Sequence, residues 1–232
     1  MKKLAFFVEG LTEQIFIRNL FTEIAGIKNI TIKEIAYPGK RGDKSLLKVI
    51  ANSKVSNTKY YILIVDCQAD NKVQSAIIDN HPSLVRENYN KILGLKDVYP
   101  KKYSDLPSLE RGIKYGVPTK KIPTDILLAV AEIEAWFMAE HFHFLKIDKR
   151  LTLEEIKTHF MHDLISDNLE KIEHPALELD KIYKHVGKRY KKQKNSLSRT
   201  INALDFYNLY VNIPNRVSYL KKLISHIDSF LV

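Results

Sequence analysis

Cysteine is almost absent: Cys67 is the only one in 232 residues, which excludes a disulfide scaffold and any cysteine-rich zinc module. Eight glycines and eight prolines are too few for a linker-rich or disordered chain. No run approaches the ~18 consecutive apolar residues of a membrane-spanning helix. The start, Met1-Lys2-Lys3, is basic like a secretory leader. Glu9 follows after only five apolar residues, however, and no small-residue cleavage site comes after it. The expectation is a soluble, cytoplasmic protein with no membrane partner. Acids are also scarce, at 27 Asp+Glu against 37 Lys+Arg, a net charge of +10. Such a field favours polyanions, anionic surfaces or acidic partners, and says nothing about fold.

The positive excess is concentrated. Residues 181–199 hold eight Lys+Arg and no acid. One reading is a solvated helix face. The other is nucleic-acid contact, with Lys188, Arg189, Lys191, Lys192 and Lys194 on phosphates, His185 as a further donor, and Tyr183 and Tyr190 stacking on bases.

Apolar runs at 3–8, 30–36, 60–65 and 125–131 read as strands, the third apolar throughout as a central parallel strand should be. Between them the spacing predicts helices over 12–25, capped by Thr12 and closed by Gly26, over 43–54, within 72–93 with an interruption near Pro82, and from Glu132 to about Phe142. Residues 100–124, with four prolines and two glycines, read as an irregular insertion. This alternation predicts an α/β layer fold with a mainly parallel, Rossmann-like sheet over 1–145. Beyond about 150 only helical patterns follow, at 152–160, 175–186, 197–209 and 213–231. Residues 146–232 are therefore expected to form a basic helical C-terminal region.

Active sites of open parallel sheets lie beyond the carboxyl ends of the strands. Three predicted strands end on or beside acids: Glu9, Asp66, and Glu132 with Glu134. Isolated acids at strand ends are commonly caps or solvated loop residues. Several on one functional edge instead make an oxygen-donor set suited to Mg²⁺ or Mn²⁺, the apparatus of phosphodiester chemistry. Two residues apart on one helix, Glu132 and Glu134 would diverge by about 200°. Both can serve one metal only if Glu132 precedes the helix.

The segment Phe7-Val8-Glu9-Gly10-Leu11-Thr12-Glu13 resembles the Glu-Gly-x-Thr-Glu/Asp signature of the TOPRIM fold. The likeness is greatest to the stand-alone TOPRIM-like proteins grouped as DUF4276, kin to the nuclease half of OLD-family proteins. Ile64-Val65-Asp66 sits where that family has its Asp-x-Asp strand end. Glu132-Ile133-Glu134-Ala135-Trp136-Phe137 looks like its Glu-x-Glu-Ala-Trp helix start, and Tyr190-Lys191-Lys192 resembles its basic Tyr-x-Lys element. The resemblance implies a Mg²⁺-dependent nuclease acting on DNA or RNA. In it Glu9 would be the metal-linked general acid/base, Asp66 a metal ligand and Glu134 the acid completing the site. Gly10 would allow a sharp turn after the strand. It also implies a separate ABC- or AAA-type ATPase partner and a role in anti-phage defence. One departure stands out: the expected Asp-x-Asp is Asp66-Cys67-Gln68, with the next acid at Asp70. Either Asp70 reaches back or a ligand is missing.

Other features carry less. The loop Pro38-Gly39-Lys40-Arg41-Gly42-Asp43 lacks the spacing of a nucleotide phosphate loop. Lys40 and Arg41 are either phosphate contacts at the strand edge or a solvated turn. His141, His143, His159 and His162 read as surface or helix-terminal histidines rather than zinc ligands. Cys67 reads as a small core residue, and Trp136 and Phe137 as sheet-packing residues. The alternatives to a nuclease are a catalytically degenerate nucleic-acid-binding or regulatory subunit, and a module that binds an acidic protein. The oligomeric state stays open, a homo-oligomer included.

Overall fold

The computed structural model describes residues 1–37, 48–52, 57–69, 71–99, 101 and 103–232, the stretch 48–52 by its backbone. Lys40, Arg41 and Asp70 lie outside the described residues. The chain forms two compact units. One comprises Met1–Lys96, Asp105–Leu128 and Ser225–Val232, the other Asp97–Ser104 and Ala129–Ile224. Residue 145, the boundary expected from the sequence, falls inside the second unit.

The first unit is built on strands β1 (Lys2–Val8), β2 (Ile30–Ala36), β3 (Lys48–Asn52), β4 (Tyr60–Asp66), β5 (Lys91–Asp97) and β6 (Thr124–Ala129). They are ordered β3-β2-β4-β1-β5-β6. β2, β4, β1 and β5 pair in parallel, with Val8 opposite both Asp66 and Leu95. Ile92 N donates to Pro123 O and Val98 N to Ala129 O. Both partners advance by six residues, so β6 is parallel to β5. Only β3, on the edge, runs antiparallel. The fold is therefore α/β with a mainly parallel sheet, as expected, and five of its strands run parallel, β5 being one that the sequence reading did not name. The apolar runs behave as doubly covered strands should: Leu4, Ala5, Phe6, Val8, Ile62 and Ile64 are wholly excluded from solvent.

Helix α1 (Leu11–Ala25) covers this sheet with Phe16, Ile17, Leu20 and Phe21, and the Phe6 and Phe21 rings meet edge to face at 6.1 Å. Its N-cap is Gly10, without a side-chain cap bond, and Thr12 lies buried inside the first turn. The expected Thr12 cap is thus corrected. Gly10 itself is extended, with φ −161°, a conformation open to any residue. The expected glycine-dependent turn is not there.

Three expectations about helices also change. The stretch 43–54 contains strand β3 where a helix was expected. Its leucines at 46 and 47 suggested a helical face, but the backbone pairs with β2. Helix α2 (Val73–Arg86) runs through Pro82 without interruption and stops at Arg86. Asn88 then takes the left-handed conformation (φ 57°), which asparagine tolerates, and the chain enters β5. The sequence reading had merged the first three residues of this strand with the helix. The supposed irregular insertion holds helix α3 (Leu106–Gly112).

α2 packs on β5 at Gly94. A Cβ there would meet Val73 Cγ1 at 2.9 Å, Ile77 Cδ1 at 3.0 Å and Ile126 Cγ1 at 3.2 Å.

The second unit consists of α4 (Glu134–Ala139), α5 (Phe142–Ile147), α6 (Leu153–Phe160), α7 (Pro175–His185), α8 (Lys194–Ala203), α9 (Phe206–Val211) and α10 (Ser218–Leu231) up to Ile224. The single helices expected over 132–142 and 197–209 are each two short ones. Glu140 interrupts the first, where its carboxylate accepts from Asp205 N and Asn208 Nδ2, both at 3.2 Å. Asp205 breaks the second by capping α9 through Asn208 N at 2.9 Å. Trp136, Phe137, Phe144, Tyr183, Leu197 and Leu209 form the core of this unit. Arg216 ties three carbonyls together, those of Ala139, Leu164 and Ile165. Glu170 caps α10 by accepting from Ser218 Oγ and Tyr219 N. Among the described residues no helix is long and apolar enough to cross a membrane.

His143 belongs to this core and is fully buried in the first turn of α5, so of the two expected positions, surface or helix-terminal, it takes the second. Nδ1 lies 2.6 Å from Glu140 O. Burial holds its pKa down at about 4, with the Glu140 carbonyl opposing.

Two predictions follow from packing and burial. Gly94→Ala forces the β-branched Val73 away and lowers unfolding stability by about 1–3 kcal/mol; an unchanged urea midpoint would mean that α2 lifts off at no cost. The unfolded chain protonates His143 near pH 6.5, and the folded chain only near pH 4. Between these values the unfolded state holds the extra proton, so stability falls as pH drops through the window. The slope from this group is at most about 1.4 kcal/mol per pH unit. Urea unfolding of wild type and His143→Phe should diverge in slope there and run parallel above pH 7.

Candidate functional site

In the sheet unit, the parallel register sets two acids on neighbouring strands. Asp66 ends β4 directly opposite Val8, and Glu9 follows Val8. Both are buried, at 3% and 7% exposure. Cys67 N donates to Val8 O at 2.9 Å, which ties the strand ends together. Lys96, near the end of β5, places Nζ 3.7 Å from Glu9 Oε1. Burial raises the Asp66 pKa, and hydrogen bonds from Gln68 oppose this. Gln68 takes a left-handed φ of 55°. Its backbone N–H donates to Asp66 Oδ1 at 2.8 Å and its Nε2 to Oδ2 at 3.4 Å. The residue at the second acid position of the Asp-x-Asp pattern is thus an amide turned back onto the first acid. Burial, reinforced by the charges of Asp66 and Glu9, pushes the Cys67 thiol up to about 12. That suits a core residue and not a nucleophile.

In the helical unit, Asp97, Glu132 and Glu134 each bring a carboxylate oxygen within 4.8 Å of the others. Helix α4 begins at Glu134, so Glu132 precedes it. This is the condition under which the two side chains can converge. Ala131, in the left-handed region at φ 58°, turns the chain just before them. Glu134 is wholly buried. Tyr190 OH donates to its Oε1 at 2.6 Å. Lys192 Nζ lies 3.0 Å from Glu132 Oε1 and 3.3 Å from Glu134 Oε1. Ala176 N, in the first turn of α7, donates to Glu132 Oε2 at 3.1 Å. Glu134 Oε2 is buried with no hydrogen-bond partner among the described residues. Burial raises the Glu134 pKa most; Lys192 draws it down, Glu132 pushes it further up, and Tyr190 lowers it. The three carboxylates carry a formal charge of −3, which the Lys192 ammonium offsets in part. Oxygen donors around such a charge suit a hard divalent cation.

The basic run is less open than its sequence suggests. Arg189 forks onto Asp180, at 3.0 and 3.2 Å, and Lys192 faces the two glutamates. Lys188, Lys191 and Lys194 are exposed. Arg189, Lys194 and Arg199 line one surface hollow with Gln193, Asn195 and Ser196. The expected stacking tyrosines are not available. Tyr183 is wholly buried, edge-on to Phe144 at 6.1 Å, and Tyr190 is buried with its hydroxyl on Glu134. Both point into the unit, while Lys188, Lys191 and Lys194 of the same segment are exposed.

Sequence reasoning missed Asp97, Lys96 and the Tyr190 hydroxyl. A signal for Asp97 was present: Lys91-Ile-Leu-Gly-Leu-Lys-Asp97 repeats the apolar-run-then-Asp pattern of β4. The helix expected within 72–93 takes in the first three residues of this strand, and 94–97 fall to no expected element.

Tyr190→Phe removes a hydrogen bond to a buried carboxylate. It should raise the Glu134 pKa further, measured by carboxyl-carbon NMR titration, and cost about 1.5–3 kcal/mol of stability. An unmoved titration would show that Lys192 alone sets the Glu134 charge. No family model, curated protein or solved structure matches this chain.

Proposed function

We propose that this chain is a divalent-metal-dependent nuclease of the TOPRIM-like kind. The observation that carries the reading is the convergence of Glu132 and Glu134 with Asp97 beside Glu134 Oε2, a buried carboxylate oxygen with no hydrogen-bond partner among the described residues. Glu9 and Asp66, side by side at the carboxyl edge of the sheet unit, add support of the same chemical kind. Within the helical unit Asp97, Glu132 and Glu134 would hold Mg²⁺ or Mn²⁺, and within the sheet unit Glu9 and Asp66 would hold a cation of the same kind. The bound cation would activate water and neutralise charge developing on a phosphate. The protein's own part is electrostatic and positional. Tyr190 and Lys192 fix the Glu134 carboxylate, Ala176 N fixes Glu132, and Gln68 fixes Asp66. Exposed Lys188, Lys191 and Lys194 would meet the polyanion, a DNA or RNA strand. A separate ATPase partner and a place in anti-phage defence rest on the resemblance alone.

A second reading, a degenerate subunit that binds nucleic acid without cutting, is favoured by one observation. Gln68 stands where the family pattern has a second acid, and both oxygens of Asp66 accept from it.

The deciding experiment is cleavage of DNA and RNA panels in Mg²⁺ and Mn²⁺. Wild type should cut, and Glu9→Gln and Glu134→Gln should each lose about 100-fold or more. Either variant cutting at the wild-type rate rejects its assigned role. A silent wild type that gains activity on Gln68→Asp would establish the second reading. Mn²⁺ affinity by calorimetry should rise with pH, because protons on the raised Asp66 and Glu134 carboxyls compete with the metal.

A further inference from the structure

We propose that Glu155, His159 and His185 form a transition-metal site, selective for ions of the Zn²⁺ type and chemically distinct from the all-oxygen cluster at Glu134. Their donor atoms lie within 4.8 Å of one another. Glu155 and His159 are four residues apart on α6, hence on one face. Thr152 caps that helix by accepting from Glu155 N at 3.1 Å, which fixes the turn carrying the glutamate. His185 is the last residue of α7.

Two imidazole nitrogens converge on a single carboxylate oxygen. His185 Nε2 is 2.6 Å and His159 Nδ1 3.2 Å from Glu155 Oε1. The two rings are 4.7 Å apart, inclined at 43°. Phe160 meets His185 edge to face at 5.6 Å and limits its rotation. Donors bound to a tetrahedral zinc at about 2.1 Å stand roughly 3.4 Å from one another. The His159–Glu155 separation already matches, and the His185–Glu155 pair needs to open by less than about 1 Å. An exposed ion pair explains one such contact but gains little from it. The second imidazole stands 3.2 Å from the same oxygen although its Nδ1 already has the Glu155 backbone carbonyl at 3.1 Å, a contact that a bound cation would replace.

The donor set identifies the class of cation. Two nitrogens and one carboxylate oxygen suit Zn²⁺, Co²⁺ or Ni²⁺, whereas Mg²⁺ takes oxygen and water. The three residues are a third to a half exposed, at 34%, 47% and 33% in chain order. A fourth position would thus be left to water, the pattern of three-ligand zinc sites. A bound ion would clamp the end of α7, directly before the basic segment 188–194, onto α6. Sequence spacing hid the site because the partner of His159 is 26 residues further on, while His162, three residues away, faces Glu178 at 3.4 Å.

The test uses the untagged full chain, with Co²⁺ as the spectroscopic probe and Zn²⁺ by calorimetry. Variants are His159→Ala, His185→Gln and, for the other cluster, Glu134→Gln. All three altered positions of the proposed site and its control are checked for fold by circular dichroism. We expect one equivalent of Co²⁺ with the intense visible absorption of a four- or five-coordinate site, displaced by Zn²⁺ and not by Mg²⁺. Either histidine variant should lose about tenfold or more in affinity, while Glu134→Gln keeps it. Zn²⁺ should raise the thermal midpoint of the wild type and not of the histidine variants. Co²⁺ binding equal in wild type and both histidine variants overturns the proposal, as does a pale six-coordinate spectrum. Loss of the signal in Glu134→Gln instead would move the metal to the other cluster. These readouts are independent of nuclease activity.

Discussion

A carboxylate withdrawn from water must be compensated, and Glu134 is withdrawn completely. Its compensation comes from 56 residues further along the chain, through the Tyr190 hydroxyl, and from Lys192. This one requirement organises the helical unit. It explains why Tyr190 turns inward from a cationic segment, why Lys192 is not a free surface charge, and why α7, whose first-turn amide holds Glu132, is bound to the same place. A polar cluster at this depth is tolerable only when its donors are fixed. Asp180 does that fixing, by gripping the Arg189 guanidinium and the Tyr190 amide together.

The sheet was legible because its code is short-range. Runs such as Leu4–Val8 and Tyr60–Val65 have a single physical use when both faces are covered. The acids after them were legible for the same reason, since position at a strand end is a sequence property. What failed depended on context. β5 was missed, its first three residues taken into a helix, because nothing in the sequence marks Asn88 as left-handed until the backbone is seen to need it. Pro82 suggested a break that packing overrode. Base stacking by the tyrosines of the basic run stayed open as one of two readings because composition does not reveal which way a side chain points. The Glu132–Glu134 geometry was legible as a condition only. The onset of α4 at Glu134 meets that condition, and the left-handed Ala131 turns the chain just before it.

The two acidic groups differ in how their charge is handled. In the sheet unit, Asp66 is held by a neutral amide, Gln68, which orients the carboxylate and leaves its charge in place. In the helical unit an ammonium sits among the carboxylates and cancels part of their charge. The first arrangement leaves the Asp66 charge uncancelled by its own partner, while the Lys96 ammonium stands 3.7 Å from the neighbouring Glu9. The second trades part of a cation's attraction for a fixed geometry.

The order of the units along the chain carries a consequence for biosynthesis. Ser225–Val232 belong to the sheet unit, although the whole of Ala129–Ile224 precedes them. Tyr60 reaches Leu231 O through its hydroxyl, and Lys91 Nζ binds His226 O at 2.7 Å and Ser229 Oγ at 2.6 Å. On the ribosome the helical unit therefore has all its residues before the sheet unit does. The earlier-made strands meet the end of α10 last, and until then water holds the Tyr60 hydroxyl and the Lys91 ammonium. Translation makes the sheet first and closes it last.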